Sequence, residues 1–131
     1  MAEVLVVDDD EDIRDVLALA ARRAGHRVTS VSDPGAALAV AQAAHVDLAL
    51  IGWSTAVESG SDLCARLRAL PHLASTPILV VTGHADEETR RRAAEAGASG
   101  CLTAPFSLHE LDHVVTAQLA ARRTAPHRLG A

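Results

Sequence analysis

Three consecutive acids, Asp8, Asp9 and Asp10, are the densest concentration of chemistry in the 131-residue chain. They follow directly on the apolar run Glu3–Val7 (EVLVV), whose composition suits a buried parallel strand. Acids at the carboxyl end of such a strand bring at least two carboxylates to one sheet edge. Two carboxylates held close offer oxygen ligands to a hard cation such as Mg2+. A second role suits the same residues, because Asp9 or Asp10 can cap the following helix and complement its dipole. The roles are compatible if one acid caps while others face a crevice. Without a cation, like-charge proximity should raise the pKa of Asp8 or Asp9.

Short aliphatic runs alternating with longer helical repeats must position these acids. Ile13, Val16, Leu17, Ala20 and Ala21 fall on one face of a helix starting near Asp12, and Gly25 stands where a C′ glycine would end it. Arg27–Val31 is a second strand. Asp33 and Pro34 then read as N-cap and first residue of a helix to about Ala43. Leu48–Ile51 is the third strand. A loop with Ser59, Gly60 and Ser61 precedes a helix marked by Leu63, Leu67 and Leu70. Pro77–Val81 (PILVV) is the fourth strand. Asp86 caps the next helix, with Glu87 and Glu88 in its first turn and Gly97 after its last. Gly100–Leu102 is a short fifth strand. Ser107 and Glu110 make a capping box, with Phe106 and Leu111 placed for a hydrophobic staple. Leu111, Val114, Val115 and Leu119 line the final helix.

The result is an α/β chain, (βα)5, with a doubly wound five-stranded parallel sheet covered on both faces. Ligands of such sheets bind beyond the carboxyl ends of the strands. The length fits one domain, expected over residues 1–123, with 124–131 (TAPHRLGA) a tail or the start of a linker. Hydrophobic residues make up 49% but include only one Trp and one Phe, so the core must be built from Ala, Val, Leu and Ile. A net charge of −5 argues against nucleic acid as a direct partner, since backbone binding needs a basic surface. No apolar stretch is long enough to span a membrane, and the first residues lack the basic start of a signal peptide. Two cysteines, Cys64 and Cys101, make no disulfide framework and read as reduced thiols of a cytoplasmic protein.

Four segments, VLVVDDDEDIR, VDLALIGW, PILVVTGHADEE and EAGASGCLTAPFS, resemble the receiver domain of two-component response regulators over about Glu3 to Leu119. The resemblance implies the flavodoxin-like receiver fold. The family places an acidic pair after strand 1, a phosphoacceptor Asp at the end of strand 3, a Ser or Thr at the end of strand 4 and Lys-Pro after strand 5. The pair then corresponds to Asp8 and Asp9, the switch residue to Thr82, and the proline to Pro105, whose preceding peptide bond is commonly cis. Ser54 matches the family position that offers a backbone carbonyl to the metal.

Two positions depart from this frame. Gly52 stands where the acceptor belongs, and Ala104 where the lysine belongs. The chain has no lysine at all. A one-residue slip restores no acid, because the nearest carboxylates are Asp47, on the order of 15 Å away at the start of the strand, and Glu58, six residues on. Phosphoryl transfer to a receiver needs a carboxylate nucleophile and cations on the phosphoryl oxygens. Glycine supplies no nucleophile and alanine no cation. The aromatic that the family carries on strand 5 is replaced by Cys101, so the Thr82 switch lacks its usual reporter. Mg2+ binding is expected to be weak, and no cofactor is required.

The leading expectation is a receiver-like module of a two-component phosphorelay that acts through protein contacts, without phosphorylation and without enzymatic activity. Its partner would be a histidine kinase, an output domain or another signalling protein, bound at the helix 4–strand 5–helix 5 face, where Arg90, Arg91 and Arg92 can pair with acids. A homodimer through that face is a further option. Two alternatives stay open. One is a genuine phosphoacceptor receiver altered at Gly52 or using another acceptor. The other is a Mg2+-dependent phosphatase-like enzyme with Asp8 as nucleophile. Trp53 reads as a packing residue or an exposed anchor, and His84 as a solvated histidine or an added metal ligand. The crevice beside Gly52 and Ala104 has room for a small ligand if both missing side chains leave space.

Overall fold

Parallel β-strands form where the β-branched and aliphatic runs stand. The computed structural model describes residues 2–52, 57–83 and 87–124, with 57–60 and 122–124 described by backbone alone. Trp53, Ser54, His84 and Asp86 therefore lie outside the described residues, as does the tail after 124. In chain order the elements are β1 (Glu3–Val7), α1 (Glu11–Arg23), β2 (Arg27–Val31), α2 (Pro34–Ala43), β3 (Leu48–Gly52), α3 (Val57–Ala69), a 3-10 turn (Pro71–Leu73), β4 (Ile78–Thr82), α4 (Glu87–Glu95), β5 (Gly100–Thr103) and α5 (Leu108–Thr124). The strands lie in the order β2-β1-β3-β4-β5, all parallel. This is the expected doubly wound (βα)5 sheet, with its switch point between β1 and β3.

Strand alternation sorts the core into two halves. Leu5, Val7, Ala49, Ile51, Ile78 and Val80 face one side, where Leu63, Cys64 and Leu67 of α3 cover them. Val4, Val6, Leu48, Leu50, Leu79 and Val81 face the other, under Leu17 of α1 and Leu111, Val115 and Leu119 of α5. Both halves are aliphatic, as the scarcity of aromatics requires. Both faces are covered as expected, most thinly at the edge strand β2, where Val28 and Val31 pack against the two halves while Arg27, Thr29 and Ser30 are exposed.

The helix ends carry the expected chemistry. Asp33 accepts from the Ala36 N–H at 2.8 Å, and Pro34 opens α2. The Ser107 N–H donates to Glu110 Oε1 at 2.8 Å, and the Glu110 N–H to Ser107 Oγ at 3.0 Å, which completes the capping box of α5. Gly25 follows α1 at φ +93°, with the Gly25 N–H on the Arg22 carbonyl and the His26 N–H on that of Ala21. Gly97 ends α4 in the same way at φ +105°. That pair of bonds is a Schellman motif, and the left-handed φ is why glycine stands there.

Two sequence expectations need correction. Ser59, Gly60 and Ser61 suit a loop by residue type, yet all three lie in α3, which starts at Val57. Val16 is 39% exposed, because it sits about 100° around the helix from Leu17, while the small Ala18 is buried.

Candidate functional site

The carboxyl edge of the sheet is set by register. Val7 pairs with Ile51, Gly52 with Val81 and Thr82 with Thr103. Asp8, one step past the last β1–β3 pair, therefore lies beside Gly52. Alternation puts both residues on the α1/α5 side, in the rows Val4, Val6 and Leu48, Leu50. Thr82 is buried and continues the opposite row of Ile78 and Val80. The structure thus brings Asp8 and Gly52 together, and separately joins Thr82 to Ala104, whose N–H donates to the Thr82 carbonyl at 2.7 Å. The Ala104–Pro105 bond is cis. Pro105 is exposed and Ala104 half-buried.

The three acids divide their work. Asp10 is the N-cap of α1, accepting from the N–H groups of Asp12 at 2.9 Å and Ile13 at 3.2 Å. Asp9 is exposed. Asp8 is only 4% exposed, and its Oδ1 accepts from the Asp10 N–H at 2.9 Å. Replacing Asp10 by alanine removes the cap and the charge at the helix start, and should lower stability by about 1 kcal/mol. A shift in urea midpoint with unchanged slope checks it, and an unshifted midpoint would contradict the capping role.

The most distinctive contact lies between Asp8 and Gly52. A Cβ placed on residue 52 would overlap the Asp8 carboxylate at Oδ2 and Cγ, and would touch its Cβ at 3.0 Å. The Cβ position of residue 52 is thus taken by this carboxylate. Asp8 is anchored on its backbone too. Its N–H donates to the Val31 carbonyl at 3.2 Å, and Arg14 Nη1 donates to its carbonyl at 3.0 Å. The sequence signals Arg14 only as a cation one turn past the acids.

Burial pushes the Asp8 carboxyl above its ordinary range, the Asp10 amide bond opposes this, and the Asp9 and Asp10 charges add to the rise. The expected direction is therefore correct for Asp8, but desolvation outranks like-charge repulsion as the cause. The donor set does not fit a resident Mg2+. A buried Asp8 has one oxygen on an amide and the other against Gly52, and the exposed Asp9 side chain meets the Asp8 carboxyl, so few carboxylate oxygens are left open to a cation. Among the described residues no group of three or more His, Cys, Asp or Glu side chains is placed to hold a metal ion. Asp47 is confirmed at the opposite edge of the sheet, where its Oδ2 accepts from the Glu3 N–H at 2.8 Å.

Away from this edge, Cys64 is fully buried and burial pushes its thiol up to about 11, while Cys101 is half-buried and also raised by burial. Both are free thiols, as expected. Arg90, Arg91 and Arg92 are exposed on α4, with Arg92 bonded to Glu88 at 2.9 Å. No helix among the described residues is long and apolar enough to cross a membrane.

The family model for the response regulator receiver domain matches residues 4–116. Sensory transduction protein RegX3 of Mycobacterium tuberculosis is 37% identical over 111 residues, covering 85% of this chain and 48% of that protein. Phosphate regulon transcriptional regulatory protein PhoB of Pseudomonas aeruginosa is 32% identical over 123 residues, covering 94% of this chain and 53% of its own length. The chain thus spans about half the length of these relatives. Among solved structures, the chemotaxis response regulator CheY4 of Vibrio cholerae superposes with a TM-score of 0.84 at 31% identity, over 89% of this chain and 98% of that one.

Proposed function

Because the chain belongs to the response regulator receiver domain family, we propose that it is a receiver-like signalling module of a two-component phosphorelay that works without aspartyl phosphorylation. The observation that carries this is Gly52, the residue that ends β3 beside the acidic strand end. A residue with no side chain cannot attack phosphorus. Ala104 and the absence of lysine from the chain remove the cation that would hold an acyl phosphate. Asp8, Asp9 and the backbone of Ser54 remain as a residual metal set, and Mg2+ binding through them would be weak and unnecessary for function.

Action then falls to protein contacts. We read the face of α4, β5 and α5 as the contact surface; α4 carries the exposed Arg90, Arg91 and Arg92, of which Arg92 already bonds Glu88, suited to acids on a histidine kinase, an output domain, another signalling protein or a second copy of the chain. The net charge of −5 gives no support to direct nucleic-acid binding. With the relatives about twice as long, we read residues 1–123 as the receiver unit and 124–131 as a tail or linker, in a cytoplasmic protein.

Acetyl phosphate tests the reading. Incubated with the donor, with and without Mg2+, the intact protein should show no species heavier by about 80 Da. A stoichiometric, acid-labile adduct sinks it and favours another acceptor, for which Asp8 is the nearest carboxylate to the vacated position. Turnover of an aryl phosphate would instead favour the phosphatase-like alternative.

A further inference from the structure

We infer that the Asp8 carboxylate plugs the position that a side chain on residue 52 would occupy, so that Gly52 is required as its seat. This rests on residue 52 being the vacated acceptor position. The argument is steric. A Cβ at 52 would meet Asp8 at Oδ2, Cγ and Cβ together. Turning the terminal carboxylate leaves Cγ in place, and swinging about the Cα–Cβ bond leaves Cβ at 3.0 Å, so the side chain must swing and the backbone must give as well. Three hydrogen bonds resist that movement: the Asp8 N–H on the Val31 carbonyl, the Asp8 carbonyl under Arg14, and Oδ1 on the Asp10 amide. The register that sets Asp8 beside Gly52 on one face of the sheet leaves little room to slide past. Any residue restored at 52 must therefore first evict Asp8.

A double-mutant cycle reads this contact directly. Gly52→Ala should lower the folding equilibrium constant about tenfold in the parent chain, and by much less in an Asp8→Ala background. Equal losses in the two backgrounds overturn the plug. If Gly52→Ala alone does not fold, recovery of a cooperative unfolding transition in Gly52→Ala/Asp8→Ala supports it, and a double variant that is equally unfolded overturns it. The outcome is separable from the preceding reading. Additive losses would remove the plug and leave phosphorylation independence intact, whereas an acyl phosphate mapped away from residue 8 would remove independence and leave the steric pair standing. An acyl phosphate on Asp8 itself overturns both.

Discussion

Replacing Arg68 with alanine should destabilise the domain by about 3 kcal/mol, a large share of the total for a fold of this size. Arg68 lies in the last turn of α3, and its guanidinium is spread over backbone oxygens from two separate connections. Nη1 donates to the carbonyls of Leu73 at 2.8 Å and Thr76 at 2.5 Å, with Ala74 at 3.3 Å. Nε and Nη2 donate to the Gly97 carbonyl at 3.1 and 2.7 Å. One side chain thus ties the turn before β4 to the turn that ends α4. Truncation leaves several part-buried carbonyls without their charged donor, and hydrogen bonds to charged groups are the stronger kind. Lysine cannot replace the planar fork, so Arg68→Lys should recover less than half of the loss. Chemical denaturation gives the comparison. A loss below about 1 kcal/mol for Arg68→Ala would show that water satisfies these carbonyls unaided.

Asp8→Asn should stabilise the domain at neutral pH, by about 1–2 kcal/mol, even though it alters a residue of the acidic edge. Burial holds the Asp8 carboxyl above its ordinary range in the folded chain. Between the ordinary and the raised value the folded state binds more protons than the unfolded one, so stability falls as pH rises through that window. Below it both states are protonated and the contribution is level; above it the full penalty of a buried charge applies. Asparagine keeps an oxygen for the Asp10 amide and removes the charge. The variant's advantage should therefore be present at pH 7 and fade below about pH 4. Denaturation of both proteins across that range checks the sign. A parent chain that gains on the variant as pH rises would contradict it.

Much of the fold is legible because local chemistry and tertiary structure agree. Asp33-Pro34, Ser107 with Glu110, and the glycines at 25 and 97 mark helix ends by mechanisms that act within a few residues. The start of α3 is not legible for the converse reason. Ser59, Gly60 and Ser61 have poor helix propensity, and packing of Leu63, Cys64 and Leu67 under the sheet overrides it. The site divides similarly. Its missing groups, at Gly52 and Ala104, can be read from spacing. That Asp8 turns into the gap beside Gly52 cannot, because it depends on strand register, on the Asp8 N–H bond to the Val31 carbonyl and on the bond from Arg14, both partners distant from residue 52 in sequence. Arg68 is hidden in the same way, since a basic residue in a last helical turn ordinarily signals no more than a favourable dipole.

The exposed β2 edge bears on behaviour at high concentration. An open outer strand is a template for intermolecular pairing, and chains that leave one long, flat and oily tend towards fibres. Here that rim is five residues long, begins with a guanidinium at Arg27 and displays hydroxyls at Thr29 and Ser30. A second molecule zipping onto it would gain few apolar contacts and meet a charge, so the thin cover at this strand doubles as protection against amyloid-like stacking.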